Sequence, residues 1–141
     1  MSSENAENRQ RVATVLVYSD DADVRTDVIL GLGKRPHPDL PELQYVEVAT
    51  LAVCLQQMDA GGVDLAILDG EAVPAGGMGI ARQLKDEIYR CPPLLVLTGR
   101  PQDNWLATWS RADGAVSHPL DPVELADAVT RLLRQRVPAT R

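Results

Sequence analysis

Apolar runs of seven residues or fewer alternate with stretches of helical spacing along nearly all of this 141-residue chain. That alternation limits the folds open to it more than any other feature. The runs are Val12-Ala13-Thr14-Val15-Leu16-Val17-Tyr18, Tyr45-Val46-Glu47-Val48, Val63-Asp64-Leu65-Ala66-Ile67-Leu68, Leu94-Leu95-Val96-Leu97 and Ala115-Val116. Short aliphatic and β-branched runs bounded by turn residues read as buried strands. Asp23 to Leu32 follows the first with Val24, Val28 and Leu32 on one helical face, ended by Gly31 and Gly33. Leu51, Leu55 and Met58 mark a second helix closed by Gly61-Gly62, and further helices are predicted from about Ile80 to Tyr89 and from Asp103 to Ala112. The last helix has Asp121 as N-cap, Pro122 at its first position and Glu124 at its third, and turns Leu125, Val129, Leu132 and Leu133 inward to about Arg136. Strands apolar on both faces and alternating with helices imply a parallel sheet covered on both sides, joined by right-handed crossovers. The fold class is therefore α/β: a flavodoxin-like, doubly wound, five-stranded parallel sheet, (βα)5, of order 2-1-3-4-5.

The expected organisation is a polar N-terminal tail over 1–11, one domain over 12–136 and a short C-terminal tail over 137–141. Within the domain, Lys34-Arg35-Pro36-His37-Pro38-Asp39-Leu40-Pro41 cannot be helix interior or central strand and reads as a stiff loop, with His37 solvated. The formal net charge of −6, from 14 Lys+Arg against 20 Asp+Glu, argues against nucleic acid and anionic membrane as partners. No apolar run approaches a membrane span and the N-terminus lacks a signal-peptide core, so the cytosol is the expected compartment. Cys54 and Cys91 are expected reduced, Cys54 as a core thiol and Cys91 in a loop before Pro92-Pro93.

In such a fold, ligands bind outside the carboxyl ends of the strands, near the switch point between the first and third. The first strand ends in Ser19-Asp20-Asp21, the third in Asp69-Gly70-Glu71, the fourth in Thr98-Gly99-Arg100 and the fifth in Ser117-His118-Pro119. Carboxylates converging there repel one another unless a cation or proton intervenes. Mg²⁺ suits them, because it takes hard oxygen ligands and keeps several waters. Phosphoryl transfer needs little beyond such positioning and charge neutralisation, and a strand-end Asp can act as nucleophile to form an acyl phosphate.

These stretches resemble the receiver domain of two-component response regulators, from about Val12 to Arg136. The first strand with its acidic turn, Asp64-Leu65-Ala66-Ile67-Leu68-Asp69, Leu94-Leu95-Val96-Leu97-Thr98-Gly99 and Ala112-Asp113-Gly114-Ala115-Val116-Ser117-His118-Pro119-Leu120-Asp121-Pro122 match its four signature pieces in order. The nearest likeness is to atypical single-domain orphan regulators of actinobacteria, through the Gly-Lys-Arg-x-His-Pro-Asp-Leu-Pro loop and the Leu-Thr-Gly-Arg-Pro run. The resemblance implies Asp69 as phosphoacceptor, Thr98 and His118 as partners of the phosphoryl group, and Mg²⁺ held by Asp20, Asp69 and the carbonyl of Glu71. It implies a sensor histidine kinase or other signalling protein as partner, with docking or homodimerisation through the helix 4–strand 5–helix 5 face. A signalling protein rather than an enzyme is implied, without direct DNA binding.

Departures from the family pattern bear on function. Ser19 stands where the family has its first acidic residue, which weakens the metal site by one charge. His118 replaces a lysine, and an imidazole is cationic only part of the time near neutral pH. Ala115 replaces the aromatic residue that usually couples to the Thr. The loop after Asp69 is one residue longer. Against the functional readings stand simpler ones: Asp69 capping its loop, Asp20 as N-cap of the first helix, His118 as a loop residue before a cis proline, and core packing for at least one of Trp105 and Trp109. A pseudo-receiver that binds partners without phosphotransfer is the alternative function. A flavin-phosphate loop is disfavoured, because Ser19-Asp20-Asp21-Ala22-Asp23 would repel the anion, and a hydrolase with its nucleophile on the first strand lacks its cap insertion.

Overall fold

Each apolar run becomes a strand. The computed structural model describes residues 12–136, so the tails expected at 1–11 and 137–141 lie outside the described residues. The strands are β1 (Val12–Tyr18), β2 (Glu42–Val48), β3 (Leu65–Asp69), β4 (Leu94–Thr98) and β5 (Gly114–Ser117). The helices are α1 (Ala22–Leu32), α2 (Leu51–Ala60), α3 (Gly77–Glu87), α4 (Trp105–Ser110) and α5 (Pro122–Arg136), with a 3₁₀ turn at Pro101–Asp103 before α4. All pairings are parallel and the order is β2-β1-β3-β4-β5, as the alternation of apolar runs and helical spacing requires.

Alternation along the strands divides the core in two. Val15, Val17, Leu65, Ile67, Leu95, Leu97 and Val116 face Val28 and Leu32 of α1 and Leu125, Val129, Leu132 and Leu133 of α5. Leu16, Tyr18, Ala66, Leu68, Leu94 and Val96 face Cys54 and Met58 of α2 and Ile80, Ala81 and Leu84 of α3. β3 and β4 are buried at every position, and each fully buried aliphatic side chain contributes about 1.5–3 kcal/mol. Cys54 sits in this core as expected, and burial pushes its thiol up to about 11. No helix among the described residues is long and apolar enough to cross a membrane.

Several local expectations need correction. β2 starts at Glu42 rather than Tyr45, because it is an edge strand and its half-exposed side chains blur the apolar signal. α3 starts at Gly77, three residues early, inside what reads as a glycine loop. A Cβ on Gly77 would lie 2.8 Å from the backbone of Leu68 and Asp69, so the glycine lets the helix start close against the end of β3. The fourth helix is shortened because its predicted first turn is the end of the 3₁₀ segment. Gly31 lies within α1, and only Gly33 (φ 65°) ends it. Both tryptophans point to solvent, Trp105 67% and Trp109 51% exposed, so neither packs in the core. Arg82 of α3 covers the Trp109 ring at 4.9 Å and donates to its carbonyl. His37 is not simply solvated: its ring lies 3.2–3.3 Å from the Arg134 guanidinium of α5, which pins the proline-rich loop.

Candidate functional site

Parallel register carries β1 and β3 to the same level, since Tyr18 pairs with Leu68. One step further, Ser19 and Asp69 meet side by side, and the Ser19 hydroxyl donates to Asp69 Oδ2 at 2.8 Å. Both are buried, Ser19 wholly and Asp69 to 3% exposure. The other carboxylate oxygen, Oδ1, accepts from the Glu71 backbone N–H at 2.9 Å, and His118 Nε2 stands 3.8 Å from it. The loop-cap reading of Asp69 is therefore correct in its geometry and compatible with a functional role. Asp69 has no orphaned oxygen, and no buried side-chain polar atom among the described residues lacks a partner.

Asp20 is exposed and turns toward the β3–α3 loop, where its Oδ1 accepts from Val73 N–H at 3.2 Å. It is not the N-cap of α1: Asp21 is, accepting from Asp23 N–H at 2.9 Å. Tyr18 anchors the same loop by donating its hydroxyl to Ala75 O at 2.5 Å. Burial pushes the Tyr18 hydroxyl above its ordinary pKa, with smaller contributions from Cys54, Asp20 and Asp69. Arg25 donates to Ser19 O at 2.5 Å and pairs with Glu47 at 3.1 Å, which ties α1 to β1 and β2 beside the acidic turn.

Glu71 is exposed, and its carboxylate lies across Gly99, in the space a side chain there would fill. It thus spans from the β3–α3 loop to the β4 loop. Gly70 is needed for a different reason: its N–H donates to Leu97 O at 2.7 Å, and a Cβ would come within 2.6 Å of that oxygen. Thr98 is fully buried and its hydroxyl donates to Asn104 Oδ1 at 2.6 Å. His118 follows β5, with its N–H on Thr98 O at 2.8 Å and a cis bond to Pro119. Its side chain is 27% exposed.

Of the residues predicted for the site, the fold gathers Asp69, His118 and the Glu71 backbone at one point and places Asp20 beside the same loop. Thr98 is at the adjacent strand end but is engaged with Asn104. Among the described residues, no group of three or more His, Cys, Asp or Glu side chains is arranged to hold a metal. The donor chemistry still fits Mg²⁺ in a limited way: two hard carboxylates, Asp20 and Asp69, are enough for an ion that keeps several waters and takes phosphate oxygens as further ligands. Ser19 as a direct partner of Asp69, and Asn104 as partner of Thr98, were missed from sequence. The first was available from the register of β1 and β3. The second has no local sequence signature.

A buried aspartate at the end of β3, with a Thr at the end of β4 and a basic side chain just after β5 in a 2-1-3-4-5 sheet, defines a receiver domain. Comparison with known proteins agrees. Two Mycobacterium tuberculosis proteins, from strains CDC 1551 / Oshkosh and H37Rv, are each 65% identical to this chain over 120 residues, which span 85% of it and 90% of theirs; both are described as uncharacterized response regulatory proteins. The chain belongs to the response-regulator family. Solved structures share the fold: the receiver domain of a Francisella response regulator (TM-score 0.73, 15% identity, 87% of this chain and 98% of that one), the Vibrio cholerae chemotaxis protein CheY4 (0.70, 20%, 86% and 99%), and the receiver domain of a histidine kinase from Syntrophus aciditrophicus (0.73, 24%, 92% and 95%). No family model matches the chain.

Proposed function

We propose that the protein is a signalling switch that accepts a phosphoryl group on Asp69 and acts through protein contacts. The observation that carries this reading is the placement of the Asp69 carboxylate, buried at the end of β3 with Oδ1 3.8 Å from the His118 imidazole. An Asp69 oxygen attacks the phosphorus of a phosphohistidine or acyl phosphate. An O–P bond forms, and the donor's bond to phosphorus breaks with its electron pair leaving on the donor. The product is an aspartyl phosphate. The His118 side chain, 3.8 Å from Asp69 Oδ1, donates a hydrogen bond to the transferred group. Asp20 and Asp69 would hold Mg²⁺, which when bound neutralises charge on the phosphoryl oxygens.

The partner class is a sensor histidine kinase or another signalling protein, and the switch is placed in the cytosol with such donors. A cleft of about 580 Å³ beside His118, lined by Val24, Asp27, Leu30, Pro119 and Leu120, supports approach of a protein donor between α1 and the β5–α5 loop. A second reading, a pseudo-receiver without phosphotransfer, is favoured by one specific observation: the Ser19 hydroxyl already satisfies Asp69 Oδ2, so the carboxylate is held without a cation. Intact mass after incubation with acetyl phosphate and Mg²⁺ separates the two. An adduct on wild type that is absent from Asp69→Asn supports the switch. A folded protein with no adduct supports the pseudo-receiver.

A further inference from the structure

Residues 70–76 join β3 to α3 and carry the Glu71 N–H that holds Asp69 Oδ1 at 2.9 Å. The first half of this loop is tied to strand ends: Gly70 N–H donates to Leu97 O at 2.7 Å and Ala72 N–H to Asp69 O at 3.2 Å. The second half is tied to the end of β1 and the turn after it. Val73 N–H donates to Asp20 Oδ1 at 3.2 Å, and Ala75 O accepts from the Tyr18 hydroxyl at 2.5 Å. These last two ties differ in kind. Asp20 is exposed and is one of the carboxylates proposed to hold Mg²⁺, so its bond to the loop competes with water and with a cation. Tyr18 is 1% exposed, and its ring lies in the core cluster of Cys54, Met58 and Ala72. Burial raises its hydroxyl above the ordinary pKa, which keeps the proton on as a donor. Tyrosine joins an apolar body to a polar tip. Here the body is fixed in the core and the tip reaches the loop.

We propose that Tyr18 is a positioning residue for phosphoryl transfer: anchored in the core, it holds the β3–α3 loop so that the Glu71 peptide keeps the Asp69 carboxylate aimed at the donor. This rests on Asp69 as phosphoacceptor. Asp69 Oδ2 is held by Ser19 at 2.8 Å, from the end of β1. Oδ1 is held by a loop peptide, and that peptide is only as fixed as the ties of its loop. A misplaced reacting group forfeits rate even when the fold is intact. Tyr45 offers a matched contrast. Its hydroxyl donates to Gly33 O at 2.6 Å, in the loop that follows α1. Gly33 lies at the other end of the sheet from Asp69, because α1 runs back antiparallel to β1.

The test compares Tyr18→Phe with Tyr45→Phe in the full chain. Each variant keeps its ring and loses one hydroxyl bonded to a loop carbonyl. Urea denaturation reads stability, intact mass reads the rate of adduct formation from acetyl phosphate and Mg²⁺, and amide hydrogen exchange reads residues 70–76. The two variants should lose similar stability. Tyr18→Phe should load about fivefold more slowly, and exchange at Glu71 and Val73 should quicken by about the same factor, the worth of one ordinary hydrogen bond. Tyr45→Phe should load, and exchange over 70–76, as wild type does. Wild-type loading in Tyr18→Phe overturns the positioning role, as does unchanged exchange over 70–76. Equal slowing in both variants also overturns it, since lost stability alone then accounts for the rate. Each of these results leaves the adduct on wild type, and so the phosphoacceptor reading, intact. Absence of any adduct on folded wild type refutes that reading and the positioning role with it.

Discussion

The two halves of the strand-end site are built differently. On the β1–β3 side, Ser19, Asp69 and the Glu71 backbone form a closed, buried set with contacts of 2.8 and 2.9 Å. On the β4–β5 side, His118 stands 3.8 Å from Asp69 with a side chain 27% exposed, and Thr98 is turned to Asn104. The first half fixes the Asp69 carboxylate. The second half holds the groups that can still rearrange around a ligand, and it is continuous with the exposed tryptophans of α4. A neutral hydroxyl where the family has an acid removes a like-charge repulsion from the buried half. The resting protein thereby depends less on a cation to keep Asp69 in place.

Four substitutions break or sharpen that contrast. The largest effect is expected from Ser19→Asp, which sets a second carboxylate against Asp69. Without metal it should cost about 2–4 kcal/mol of stability, through repulsion and a lost donor. Its Mg²⁺ affinity should rise at least about tenfold, because added ligand charge tightens such sites. Urea denaturation with and without Mg²⁺ reads both, and a variant with the stability and the Mg²⁺ response of wild type would remove the distinction between the halves. Ser19→Ala should come next. It strips a donor from a buried carboxylate, worth about 1–3 kcal/mol in the same denaturation experiment.

Third is the basic group of the open half. His118→Lys sets an ammonium with three donors in place of an imidazole 3.8 Å from Asp69 Oδ1, and adduct formation from acetyl phosphate should quicken several-fold. An unchanged rate for this variant in a stopped-time mass assay would take His118 out of the account. The smallest effect is expected at the far edge of the open half. Arg82→Ala removes the cation over Trp109 and should cost under about 1 kcal/mol, visible mainly as a shift in tryptophan emission.

What was legible in sequence follows the same division. β1, β3 and β4 lie in the sheet interior, and burial on both faces leaves continuous apolar runs that name their own positions. Asp69 stands out because it follows such a run directly. β2 was cut short because Glu42, Leu43 and Gln44 lie on an edge, where polar side chains are tolerated. The start of α3 was hidden by Gly77, which is there for close packing against β3 rather than for a turn. Trp105 and Trp109 sit at helical spacing, which cannot say whether a face turns inward or out. Asp20 and Asp21 are both good caps by composition, and only the geometry of the turn assigns the role to Asp21. The contact of Asn104 with Thr98 at the end of β4 is one that neither residue type announces.

The central claim is that Asp69, held by Ser19, is the atom group that receives phosphate. Peptide-resolved mass spectrometry after acetyl phosphate treatment tests it most directly, with borohydride reduction to trap the acyl phosphate as a stable alcohol. The account predicts conversion confined to the peptide that carries Asp69, and none in Asp69→Asn. Conversion on another acidic peptide, or none at all in folded wild-type protein, would contradict it.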